Sequence, residues 1–161
     1  LRAETNAWLE LTTLLIPGEN DADAEIDAMT RWIADNLGAD VPLHFTAFHP
    51  SWKMMDTPRT PRSTLTRCRE IALRNGLHYV YTGNVHDPAG ASTYCPGCGT
   101  VVIGRDGYQL GEWKLSVKAG EAACGNCGRP IAGVFDAGPG HWGAQRRPLI
   151  GISSGASTVR P

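Results

Sequence analysis

The chain has 161 residues, 42% hydrophobic and 19% charged, with a formal net charge of −1. That length holds one ordinary domain, or a small domain with a metal-stapled module, and falls short of the roughly 250 residues of a complete (β/α)8 barrel. No apolar run approaches the ~18 residues of a membrane span, nothing in the sequence resembles a secretory signal, and the charge offers no global field for nucleic acid or anionic lipid; a soluble, cytoplasmic protein is expected.

Charge is unevenly spread. Residues 1–60 carry 10 acids and 4 bases, whereas residues 61–161 carry 6 acids and 11 bases. Because Arg62, Arg67, Arg69 and Arg74 are spread around one helical pattern without interleaved aromatics, the imbalance reads as solvated helix faces rather than a polyanion site.

Trp8 to Ile16 is rich in β-formers and stops at Pro17-Gly18, a strand followed by a turn. Asn20, Asp21 and Asp23 are N-cap candidates for a helix whose apolar positions Ile26, Met29, Ile33 and Leu37 repeat at helical spacing up to Gly38. Val41 to Phe48 reads as a second strand ending in His49-Pro50. A loop with Met54, Met55 and Pro58 leads to a second helix, about Ser63 to Asn75, closed by Gly76, and then to a third strand, His78 to Thr82. The β-α-β-α-β order with apolar strands implies parallel strands joined by right-handed crossovers. In that arrangement the loops after the strands meet at one edge, bringing together Pro17 to Asn20, His49, and Gly83, Asn84 and His86.

From Thr93 to Asp136 the pattern changes to short strands and turns. Four of the five cysteines fall into two pairs, Cys95-Pro-Gly-Cys98-Gly and Cys124-Gly-Asn-Cys127-Gly, with 25 residues between them. A C-x2-C turn aims two thiolates at one ion, and the glycine after each pair allows the positive φ in which backbone amides can donate to sulfur. Zinc suits four such sulfurs best; iron or an iron-sulfur cluster are lesser options, and two disulfides would need an oxidising compartment. Thr100 to Ile103, a Gly104 to Gly107 turn and Tyr108 to Leu115 suggest a hairpin between the pairs, with a further strand at Ile131 to Phe135. Four bases against four acids in this module argue against nucleic-acid binding. Cys68, within a helical apolar pattern, reads as a small buried hydrophobe. The organisation is thus an α/β segment over 1–92, a zinc-ribbon-like module over 93–136, and a Gly/Pro/Ser-rich tail over 137–161 expected to be disordered, although Trp142 and Leu149-Ile150 could pack locally.

Leu14 to Asp21 (LLIPGEND), Pro42 to Pro50 (PLHFTAFHP), Gly76 to Val85 (GLHYVYTGNV) and Ser92 to Gly99 (STYCPGCG) together resemble the C-terminal half of the radical SAM enzyme of the AmmeMemoRadiSam system. That family is similar to the activating enzymes of pyruvate formate-lyase, and the resemblance covers residues 7–135. It implies the later part of a partial (β/α)6 barrel that binds a [4Fe-4S] cluster and S-adenosylmethionine and generates a 5′-deoxyadenosyl radical on an unidentified substrate. By the same resemblance His49 falls where a cosubstrate-contacting His follows the penultimate barrel strand. Thr12 stands near the place where the related activating enzymes carry a basic residue.

The cluster of that family needs a Cys-x3-Cys-x2-Cys loop, which this sequence lacks. The expectation is therefore a truncated chain, inactive alone, whose partners are the missing N-terminal barrel half and a protein substrate or other components of the same system, with no membrane partner. The alternative is a metal-binding interaction module without catalysis of its own. Glu10, inside an apolar strand, needs either a site role or a salt bridge to a missing strand. His44 reads as structural, and His86 and Asp87 as loop polarity.

Overall fold

The computed structural model describes residues 4, 5 and 7–140. Three strands, β1 (Leu11–Leu15), β2 (Leu43–Ala47) and β3 (Val80–Gly83), form an open sheet in the order β1-β2-β3, and both pairings are parallel. Helices α1 (Asp23–Leu37) and α2 (Arg62–Arg74) make the two crossovers. The strands alternate strictly. Leu15, Leu43, Phe45, Ala47 and Val80 are buried against Ile26 and Ile33 of α1 and Leu65, Cys68, Ile71 and Ala72 of α2, so both helices cover the same face. Glu10, Thr12, His44 and Tyr81 project from the other face, as the two-residue period of a strand requires. These strands do not close a barrel.

The α1 boundary differs in its chemistry from the sequence reading. The residue flanking the helix is Ala22, with no side-chain cap, while Asp23 and Glu25 place negative charge in the first turn, where the helix dipole favours it. Two of the expected caps instead fix the preceding turn. Asn20 Oδ1 accepts the Ile16 amide and its Nδ2 donates to Leu14 O, while Asp21 Oδ1 accepts the Gly18 amide. Gly38 ends α1 with φ of 92°, its amide donating to Ile33 and Ala34 carbonyls.

After β3 the chain makes a short helix absent from the sequence reading, α3 (Pro88–Ala91), and enters two small antiparallel sheets. The first holds β4 (Thr93–Tyr94), β5 (Val101–Asp106) and β6 (Gln109–Trp113); the second holds β7 (Leu115–Lys118), β8 (Glu121–Cys124) and β9 (Pro130–Ile131). The expected turn at Gly104–Gly107 is corrected here. Strand β5 runs through Gly104, and Asp106 pairs with Gln109 around a two-residue turn. Gly104 is required for close approach, since a Cβ there would lie 3.0 Å from the Glu112 amide nitrogen.

The expected strand Tyr108 to Leu115 is in fact two, broken at Lys114. The hairpin between β7 and β8 turns at Ala119-Gly120 with φ of 51° and 85°, the left-handed pair that a tight two-residue hairpin needs. The last strand covers only Pro130–Ile131 rather than extending to Phe135. Most of the expected disordered tail, with Trp142 and Leu149-Ile150, lies outside the described residues. No helix among the described residues is long and apolar enough to cross a membrane.

Candidate functional site

Each cysteine pair sits on a tight knuckle built the same way. In the first, the Gly99 amide donates to Cys95 O at 2.9 Å and the Cys95 amide to Thr100 O at 2.8 Å; in the second, Gly128 donates to Cys124 O at 2.8 Å and Cys124 to Arg129 O at 2.8 Å. Gly99 and Gly128 have φ of 71° and 74°, the positive values expected after each pair. Their amides turn to carbonyls, however. The amides that reach sulfur are others: Gly97 N lies 3.4 Å from Cys95 Sγ, and the Thr100 and Arg129 backbones serve Cys98 and Cys127.

Cys95, Cys98, Cys124 and Cys127 converge so that their four sulfurs all lie within 4.8 Å of one another. Cys95 Sγ is 3.6 Å from Cys127 Sγ, and Cys98 Sγ is 3.8 Å from Cys124 Sγ. No disulfide joins them, and all five cysteines are free. A tetrahedral zinc with bonds of about 2.3 Å has sulfur-sulfur edges of about 3.8 Å, which the Cys95–Cys127 and Cys98–Cys124 pairs already match. Charge favours the same occupant. The Thr100 hydroxyl, 3.3 Å from Cys98 Sγ, together with the Asn126 side-chain amide and the Thr100 backbone, holds the Cys98 thiol down at about 5. Cys127 has the Arg129 backbone favouring its thiolate, yet the neighbouring sulfurs push it up to about 12. One thiolate forms easily and discourages the next, a conflict that a bound cation removes.

Cys68 belongs to no site. It is fully buried between α2 and the sheet, and burial pushes its thiol above the ordinary range.

His49 is exposed just beyond β2, with Nδ1 3.2 Å from Pro50 O. The backbone around it is held firmly: the Phe48 amide reaches both Leu15 O at 3.2 Å and Thr60 Oγ1 at 2.9 Å, and Asn84 Nδ2 donates to Ala47 O. The three loop ends therefore meet at the C-terminal edge of the sheet, as expected. His86 and Asp87 part ways there. His86 is exposed and 2.8 Å from Asp106, whereas Asp87 is buried, bonded to Thr82 Oγ1 at 2.9 Å and to Arg62 at 2.6 Å. Asp87 is thus a structural anchor for α3.

The open sheet face carries a polar cluster that sequence reasoning resolved only in part. Glu10 finds its partner within the chain, His44 Nε2, at 2.8 Å, and also accepts Trp8 Nε1 at 2.8 Å. Partial burial works against the Glu10 charge, but the Trp8 and His44 bonds and the charge of Arg105 outweigh it and hold the carboxyl below its usual range. The His44 ring stacks on Tyr81, with centroids 4.9 Å apart, and the Arg105 guanidinium lies 5.8 Å from the Tyr81 ring centre. Cross-strand register could have found the His44–Tyr81 pair, whereas Arg105 comes from the ribbon and left no local signal.

No family model matches the chain, and no solved structure matches it. Uncharacterized protein MJ0808 of Methanocaldococcus jannaschii is similar, with 37% identity over 131 residues, or 81% of this chain. The chain spans 39% of the length of that relative.

Proposed function

We propose that the chain is the closing β-α-β-α-β segment of a radical SAM barrel with a structural zinc ribbon, within a longer enzyme that forms a 5′-deoxyadenosyl radical from S-adenosylmethionine to act on an unidentified substrate. The observation that carries this reading is a sheet face that no helix covers. Parallel strands are ordinarily covered on both faces by helices, yet α1 and α2 share one face, and the other, with Glu10, Thr12, His44 and Tyr81, meets the ribbon around Tyr79 and Tyr81. A barrel interior accounts for such a polar inner face. Similarity to a relative of which the chain spans 39% is consistent with a segment of something larger.

In this reading His49, exposed at the C-terminal edge, contacts the cosubstrate. Cys95, Cys98, Cys124 and Cys127 would hold zinc, which would tie the two knuckles together without taking part in the chemistry. The [4Fe-4S] ligands have to come from outside residues 1–161, since Cys68 is sealed in the core and the other cysteines are committed to the ribbon. The deciding experiment is to determine the gene sequence upstream of Leu1 and express the longer product anaerobically. A Cys-x3-Cys-x2-Cys loop, an iron-sulfur chromophore and reductive cleavage of S-adenosylmethionine are expected. Absence of the loop and of cleavage would leave the second reading, a metal-binding interaction module without catalysis, which the four-sulfur cluster supports by itself.

A further inference from the structure

Between the open sheet face and the ribbon lies a cavity of about 530 Å³, within the size range of small-molecule sites. It opens on the N-terminal half of the strands: its sheet-side lining comes from Trp8 and Glu10 ahead of β1, from Pro42 and His44, and from Tyr79, Tyr81 and Thr82. His49 and the loop ends lie at the other end of the same strands, so this cavity is separate from the edge invoked above. Its far wall, including Arg105 and Trp113, belongs to the ribbon.

The lining carries the carboxylates of Glu10 and Asp136, the Arg105 guanidinium and aromatic surface. The Glu10 side chain is 48% exposed, and its two bonds, to Trp8 and His44, leave lone pairs for a further donor. Arg105 is near enough for its charge to act on Glu10. Its Nη1 is anchored by Thr93 Oγ1 at 2.7 Å and Ala91 O at 3.3 Å, which fixes the guanidinium plane while Nη2 makes no bond among the described residues. The Tyr81 ring is stacked with His44 and within reach of Arg105. A fixed guanidinium suits a carboxylate, a fixed carboxylate suits an ammonium, and Trp8 and Trp113 offer faces for an apolar body.

We infer that this cavity binds a zwitterionic amino acid with an aromatic or large apolar side chain, its ammonium on Glu10 and its carboxylate on Arg105. The inference goes beyond the proposed function and does not depend on a radical reaction.

The test is a titration of the intact chain, loaded with zinc, with three probes followed by NMR: L-phenylalanine, phenethylamine, which lacks the carboxylate, and phenylacetate, which lacks the amine. L-phenylalanine should bind saturably and shift the Tyr81 and Trp113 resonances, with each truncated probe at least about tenfold weaker because one charge-assisted contact is lost. Glu10→Gln should weaken L-phenylalanine by a similar factor and leave phenylacetate unchanged. Absence of saturable L-phenylalanine binding, equal binding of the three probes, or shifts confined to residues away from the cavity would each overturn the assignment.

Discussion

The Tyr79 hydroxyl accepts the Ala132 amide at 3.1 Å, so a side chain from the parallel sheet closes the backbone of the ribbon after β9. Tyr79 is buried among Cys95, Val102, Ile103 and Ile131, in the ribbon's own cluster rather than the helix-side core. Its phenol is pushed above the usual range, chiefly by burial. Tyr79→Phe keeps the ring and removes the acceptor, leaving a partly buried N–H unpaired at a cost of about 1 kcal/mol. Urea unfolding of the zinc-loaded protein should show that loss, together with faster hydrogen exchange at Ala132.

The four-cysteine geometry predicts that the ribbon needs a metal ion to fold. Its two sheets are small, and the buried cluster that includes Cys95 and Cys124 is modest, which is the situation in which metal binding supplies the folding energy. Elemental analysis should give about one zinc per chain. A strong chelator should abolish near-ultraviolet signals from Trp113 and Tyr79 while far-ultraviolet helix signal from α1 and α2 persists. A metal-free chain with an intact ribbon would contradict this.

Asp87 makes stability depend on acid. Burial raises the cost of its charge, but bonds from Thr82, the Gly90 backbone and Arg62 more than compensate, so its carboxyl titrates below the usual value of 3.8. A group whose native value is depressed stabilises the fold above its unfolded value and loses that contribution as pH falls through the native one. Asp87→Asn should therefore flatten the pH dependence of stability below about pH 4. Asp87→Ala should cost about 2 kcal/mol near neutrality, because it strands the Thr82 hydroxyl and the Gly90 amide. Thermal melts across the acid range measure both.

Cys68 should be silent chemically. With no exposure and a thiol that burial keeps protonated, it should resist maleimide in the folded protein and react on denaturation. Cys68→Ser puts a hydroxyl into an apolar core and should destabilise by about 1–3 kcal/mol, whereas Cys68→Ala should cost less. Equilibrium denaturation of the two variants separates polarity from volume.

How much of this was legible in the sequence follows from the range of the signals. The β-α-β-α-β order rested on local patterns, apolar runs and helical spacing ended by Gly38 and Gly76, and the observed elements keep that order with boundaries moved by one to three residues. The cysteine quartet was legible because a spacing of two residues directly constrains where two sulfurs point. Gly104 misled because glycine marks both turns and close approaches, and only the packing of Glu112 distinguishes them. The Ala119-Gly120 turn was hidden because alanine rarely takes positive φ. Glu10 could not be assigned a partner because His44 is 34 residues away, and only the register of parallel strands brings the two together.

Lys114, the residue at which one expected strand became two, acts as a mechanical joint. Its amide donates to Val102 O and its carbonyl accepts the Gly125 amide, both at 2.8 Å, so one residue is tied into both ribbon sheets at once. Gly125 follows Cys124 of the sulfur quartet, and Trp113, a wall of the cavity, precedes Lys114. A displacement at the sulfur quartet would therefore reach an aromatic ring of the cavity through a single backbone unit.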